Sequence, residues 1–171
     1  MKKVMLFLML IMSIRLYSEI TNSTEASSGT TLAAKHELKI DLAYVLVPAI
    51  KIEYERLFSA GSTWGLVGLY DFDDYYHLLG FYRWYFGKEP ISGFFLEGHA
   101  GVIGGNMEDH WLYGYDNNGD FTAPAVGVAL GWKFTTNAGV VLDIFTGLGR
   151  LIGEDSPGSY HRSGICIGKR F

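Results

Sequence analysis

The sequence predicts an all-β fold: an eight-stranded antiparallel up-and-down β-barrel that crosses a membrane. Three observations predict it. From Leu38 onward the chain breaks into eight segments separated by turn residues, each of about ten residues, the length a tilted membrane strand needs. Within the segments, apolar residues alternate with a set that mixes charges, Gly and Ala; a period of two marks strands with two different faces. Aromatic residues gather where segments meet short connections, as they do at the boundary between hydrocarbon and headgroups.

The N-terminus reads as a secretory signal peptide over residues 1–18. Met1-Lys2-Lys3 is basic, Val4 to Ile14 is apolar except for Ser13, and Arg15 ends the run. About 11 apolar residues fall well short of the roughly 20 that a spanning helix needs. Cleavage after Ser18 fits, although Leu16 is not the small residue such a site prefers, so the position stays open. Residues 19–37 are rich in Ser, Thr and Ala without periodicity, and are expected to be a flexible lead; residues 38–171 form the barrel. Removing the signal takes Lys2, Lys3 and Arg15 but none of the 18 acidic residues, which moves the net charge from −4 to −7. That charge does not suit nucleic acid. Cys166 is the only thiol, so no internal disulfide can form.

The segments run over about 38–46, 49–58, 64–72, 78–87, 93–104, 121–134, 138–149 and 160–171. In the first, Leu38, Ile40 and Leu42 alternate with Lys39, Asp41 and Ala43. The second sets Ile50, Ile52 and Tyr54 against Lys51, Glu53 and Glu55. The third and fourth alternate less cleanly, with Arg83 standing out among aromatics. The fifth opposes Phe94, Leu96, Ala100 and Val102 to Glu97 and His99. The sixth opposes Val126, Val128, Leu130, Trp132 and Phe134 to Gly127, Ala129, Gly131 and Lys133. In the seventh, Val140, Leu142, Ile144 and Leu148 oppose Val141, Asp143, Phe145 and Gly147. The eighth carries Ile165, Ile167 and Phe171 on one face and Gly164, Cys166, Gly168 and Arg170 on the other. Both signs of charge recur on the second face, which suits a polar bore with the greasy face outward. Phe58, Trp64, Trp84, Tyr85, Phe86, Phe94, Phe95, Trp132, Phe134 and Phe171 are expected to form an aromatic girdle at the rim of short turns.

At this point the chain resembles the OmpA/OmpX class of small outer-membrane barrels of Gram-negative bacteria. Phe81-Tyr82-Arg83-Trp84-Tyr85-Phe86-Gly87-Lys88, Gly93-Phe94-Phe95-Leu96-Glu97-Gly98, Gly127-Val128-Ala129-Leu130-Gly131-Trp132-Lys133 and the Gly168-Lys169-Arg170-Phe171 end are similar to a bacterial barrel family of unknown function. The resemblance covers residues 38–171. It implies an outer-membrane location and brings no catalytic residues with it. An aromatic Phe171 at the membrane edge fits a signal for the barrel-assembly machinery.

Function is sought in three places. The inward set is expected to be Lys39, Asp41, Lys51, Glu53, Glu55, Arg83, Glu97, His99, Lys133, Asp143, Arg162 and Arg170, a polar network filling a bore only wide enough for side chains. A narrow ion path through Glu97, His99 and Asp143 is the alternative. Strands five and six are expected to continue outward as a ribbon turning at Asn118-Gly119, where Trp111, Tyr113 and Tyr115 offer a surface for an extracellular protein or a glycan. Asp116, Asn118 and Asp120 alternate like a calcium loop, but Gly119 comes too early and Gly127 stands where a Glu is required, so no metal or other cofactor is assigned. Finally, His161 and Ser163 share the outward face, as in lipid A deacylases, where a His activates a Ser and a carboxylate orients the His; Glu154 or Asp155 would have to serve as that carboxylate. The reading these features favour is a non-enzymatic outer-membrane barrel acting through its outer loops, among outer-membrane lipids. A lipid A-modifying enzyme comes second and a soluble lipocalin-like binder third.

Overall fold

The computed structural model describes residues 35–45, 47–72, 75–87, 91–106, 120–153 and 158–171. Eight strands form one closed antiparallel barrel in sequence order. They are β1 (His36–Asp41), β2 (Ala49–Ser59), β3 (Ser62–Asp71), β4 (Tyr75–Tyr85), β5 (Gly93–Asn106), β6 (Asp120–Thr135), β7 (Val140–Leu151) and β8 (Ser159–Arg170). Each strand pairs with its neighbours in the chain, and β1 closes the ring by pairing with β8, Glu37 opposite Arg170 and Asp41 opposite Cys166. Closure leaves no free edge whose backbone groups would need other partners.

The strands agree with the eight segments to within a few residues. β1 starts earlier than Leu38 and is short: after Asp41 the chain tightens into a single helical turn at Ala43–Val45, where the Asp41 side chain accepts from the Ala43 amide (3.0 Å). The connections at 59–62, 85–93 and 135–140 share one rim with the start of β1 and the end of β8. The connections at 41–49, 71–75, 106–120 and 151–159, the third being the longest of all, share the other rim.

The alternation sorts as the charges suggested. Leu38, Ile52, Leu66, Leu78, Val128, Leu130, Ile144 and Ile165 face out and are exposed, while Lys39, Glu53, Arg83, Glu97, Lys133 and Asp143 face in and are buried. Outward charges sit towards the ends of strands: Arg56, Arg150, Lys169 and Asp120. The barrel is apolar outside and charged within, the reverse of a water-soluble domain.

Two apolar clusters flank the charges. Val67, Leu79, Phe81, Ile103, Ala123, Ala125, Leu151 and Tyr160 pack together on the side of the longer connections. Tyr85, Ile91, Phe95, Phe145 and Cys166 pack near the short-turn rim. Tyr85 and Phe95 therefore do not belong to the girdle, and the expectation that they would is corrected here. They share strand parity with Arg83 and Glu97, and proximity to a turn does not override parity. Phe58, Trp64, Trp84, Phe86, Phe94, Trp132, Phe134 and Phe171 are exposed around that rim.

Glycines on the inward face make room for these rings. A Cβ at Gly131 would meet the Phe95 ring at 2.6 Å, and one at Gly164 would meet the Phe145 ring at 2.8 Å. Ile91 has a positive φ of 53°, costly for a β-branched residue. It is buried, and its carbonyl accepts from Arg170 Nη2 (3.2 Å).

Candidate functional site

The bore is lined by an ionic network centred on Arg83, with Lys51 and Asp41 as a separate pair. Starting at the short-turn end, Glu37 receives Lys133 Nζ (2.7 Å) and Arg170 Nη2 (2.6 Å). Lys133 also reaches Glu55 Oε1 (2.8 Å). Glu55 accepts in addition from Thr63 Oγ1 (2.5 Å) and the Tyr85 hydroxyl (2.8 Å). Lys39 Nζ pairs with Glu53 (2.6 Å), Asp143 (2.6 Å) and Glu55.

Arg83 is the hub. Its guanidinium meets Glu53 (2.9 Å), Glu55 (2.7 Å), Glu97 (2.8 Å) and Asp143 (2.9 Å). Its faces lie over Phe81 and Phe95, with centroids at 4.4 and 4.6 Å. Arg162 turns its Nε and Nη2 edge to Glu97 (2.8 and 3.4 Å) and reaches Glu53 (3.4 Å). Lys51 pairs with Asp41 (2.6 Å) and donates to the Ser163 carbonyl (3.2 Å). His99 Nδ1 lies 3.1 Å from Glu97.

A buried charge is expensive unless it is paired and hydrogen-bonded. Here each hub carboxylate meets at least two cations. Among the described residues, the ion pairs of the bore join six anions, Glu37, Asp41, Glu53, Glu55, Glu97 and Asp143, to six cations, Lys39, Lys51, Arg83, Lys133, Arg162 and Arg170. Sequence reasoning named all of these but Glu37, which has the parity of Lys39 but lay one residue before the first segment. It also missed His77, which is buried and precedes the fourth segment by one residue.

Oxygens of Glu53, Glu55 and Asp143 approach one another within 4.8 Å, a spacing that could hold a cation. The Lys39 ammonium already pairs with all three, which supplies the positive charge from the chain itself.

His161 and Ser163 sit outward on β8 and touch: Ser163 Oγ is 3.0 Å from His161 Nε2. Thr146 Oγ1 of β7 lies 3.1 Å from the same nitrogen and 3.0 Å from Ser163 Oγ. Among the described residues, no carboxylate contacts His161. Glu154 and Asp155 lie outside the described residues, as do Trp111, Tyr113, Tyr115, Asp116 and Asn118. Phe171 is exposed; its backbone exchanges hydrogen bonds with His36 (2.8 and 3.0 Å), and its ring stacks on the His36 imidazole.

The described residues thus define a closed eight-stranded barrel with an apolar exterior and a bore lined by ion pairs. No family model matches the chain, and no curated protein matches it. Among solved structures it is similar to the backbone structure of the Yersinia pestis outer membrane protein Ail in a phospholipid bilayer nanodisc, with 16% sequence identity and a TM-score of 0.44 over 81% of this chain and 99% of that chain.

Proposed function

We propose that this chain is an outer-membrane barrel of a Gram-negative bacterium with a structural or surface-interaction role and no catalysis of its own. One observation carries the reading. Every strand turns an apolar row outward, and the strand charges point inward except Arg56, Asp120, Arg150 and Lys169 towards strand ends, an arrangement that water would penalise and lipid favours. On this reading the signal segment at residues 1–18 is removed on export. The bore is plugged by its ion pairs, and the outer connections carry Trp111, Tyr113 and Tyr115 towards an extracellular protein or glycan. Phe171 serves the barrel-assembly machinery. Detergent-extracted membranes run on a gel with and without boiling test the placement: a compact band that shifts on boiling is expected, and a water-soluble protein without a shift refutes it. Planar-bilayer recording tests the plug: a flat trace is expected, and discrete conductance steps refute it.

The Ser163–His161 contact favours a second reading, a lipid-modifying hydrolase. Against it, Thr146 shares the His161 nitrogen. We expect Ser163→Ala to leave the mass spectrum of cellular lipid A unchanged; a changed acyl pattern would install the hydrolase in first place.

A further inference from the structure

The end of the bore away from the short turns opens into a cavity of about 200 Å³, lined among others by Lys51, Asp71, His77, Tyr160 and Arg162. Three of these side chains carry a buried polar atom without a partner: His77 Nε2, the Tyr160 hydroxyl and Arg162 Nη1. The side chains themselves are 9, 5 and 3% exposed. The hub also holds unpartnered atoms, Asp143 Oδ1 among them, but each of its carboxylates meets at least two cations, whereas these three belong to side chains that line the cavity. Arg162 spends its Nε and Nη2 edge on Glu97 and Glu53, which leaves Nη1 on the other side of the guanidinium.

The chemistry of the three atoms selects the ligand. Arg162 Nη1 can only donate, and the tyrosine hydroxyl and the imidazole Nε2 can both donate. An apolar occupant would leave all three buried and unpaired. A metal ion would find one carboxylate in the lining, Asp71, beside Lys51 and Arg162, and the carboxylates paired with those cations, Asp41, Glu97 and Glu53, are already engaged. A carboxylate offers two oxygens to three donors, whereas a phosphate offers at least three, and a charged donor binds a charged acceptor best. We propose that this cavity binds a phosphate group, borne by free phosphate, a small monoester or a headgroup that reaches the mouth. The proposal goes beyond the membrane reading and does not depend on it, because the cavity lies inside the barrel whatever solvent meets the outer face.

The test titrates the folded barrel in detergent micelles with inorganic phosphate, followed by calorimetry, with acetate as the comparison. Saturable binding at one site is expected, with acetate markedly weaker. Tyr160→Phe keeps the ring beside Gly149 and deletes only the hydroxyl; it is expected to weaken phosphate by about fivefold, as is His77→Leu, each being the loss of one hydrogen bond. An unshifted folded band on the gel certifies each variant. Lipopolysaccharide added to the micelles forms a second arm: displacement of phosphate assigns a headgroup as the source, and no displacement assigns a soluble one. Wild-type protein that binds no phosphate, or binds acetate equally, overturns the proposal. So does undiminished binding in the folded double variant.

Discussion

Replacing Arg83 with Met tests whether the bore is held by charge balance. Arg83 is wholly buried and touches Glu53, Glu55, Glu97 and Asp143. The other cations on those four carboxylates are Lys39, Lys133 and Arg162. Arg83→Met changes a four-to-four cluster into four anions against three cations. Met keeps much of the contact with Phe81 and Phe95, so the loss is chiefly electrostatic. Removing one member of a buried ion pair costs about 3–5 kcal/mol, and one uncompensated charge here places the expected loss in that range. Asp143 meets two cations, Lys39 and Arg83, and its Oδ1 is unpaired. Asp143→Asn on top of Arg83→Met restores three against three, so the double variant should recover about 1–3 kcal/mol, the usual coupling between contacting residues. Urea unfolding in lipid vesicles, read by tryptophan fluorescence, measures both. An Arg83→Met loss under about 1 kcal/mol would mean that water reaches the bore and screens the charges. Full loss with no recovery in the double variant would mean that guanidinium geometry, not balance, is what matters.

Three further outcomes follow from the same structure. Val128 stands 61% exposed in the outward row of β6; Val128→Arg should cost about 2–4 kcal/mol in vesicles if that row meets the middle of a bilayer, and a change below about 0.5 kcal/mol would remove lipid from the account. A Cβ at Gly168 would strike the Leu38 carbonyl and the Lys39 stem, whereas one at Gly68 meets nothing within 4 Å; Gly168→Ala should lose about 1–3 kcal/mol and Gly68→Ala should sit within about 0.5 kcal/mol of wild type, with equal effects counting against the closure of β1 on β8. Cys166 is fully buried, so a maleimide should label it only after denaturation, and rapid labelling of the folded barrel would contradict its place in the inner apolar cluster.

The strands that were legible in the sequence are those whose inward row carries charge. In β2, β6 and β7 the alternation sets Lys51, Glu53, Glu55, Lys133 and Asp143 against apolar neighbours. β3 and β4 were blurred because their inward rows include Val67, Leu69, Leu79 and Phe81, most of them members of the apolar cluster on the side of the longer connections. Polarity alternates only where the two faces differ in polarity. Tyr85 and Phe95 follow their strand parity with Arg83 and Glu97 to the inward face, which closeness to a turn does not reveal. The membership of the network was mostly readable, but its pairing was not. Glu37 and Arg170 are 133 residues apart, and no local pattern carries that contact.

The pairing also explains how one register is chosen. A slip of one residue turns every charge outward and is excluded by the apolar surroundings. A slip of two keeps both faces, and an outward row of Leu and Val, being apolar in either alignment, does not tell the two apart. The charges can. Directly opposed across neighbouring strands are Lys39 and Glu53, Glu37 and Arg170, Arg83 and Glu97, and Lys133 and Asp143. Opposite charges so placed stabilise a pair of strands. Moving β6 by two residues along β7 would set Lys133 against Val141 or Phe145 in place of Asp143. Moving β5 along β4 would set Arg83 against Phe95 or His99. Each error leaves a buried charge without its cross-strand partner, and the errors fall on pairs distributed around the ring, including the closure of β1 on β8. A network that adds little stability relative to a packed apolar core still separates the native register from its nearest competitor, on the inward face of the barrel.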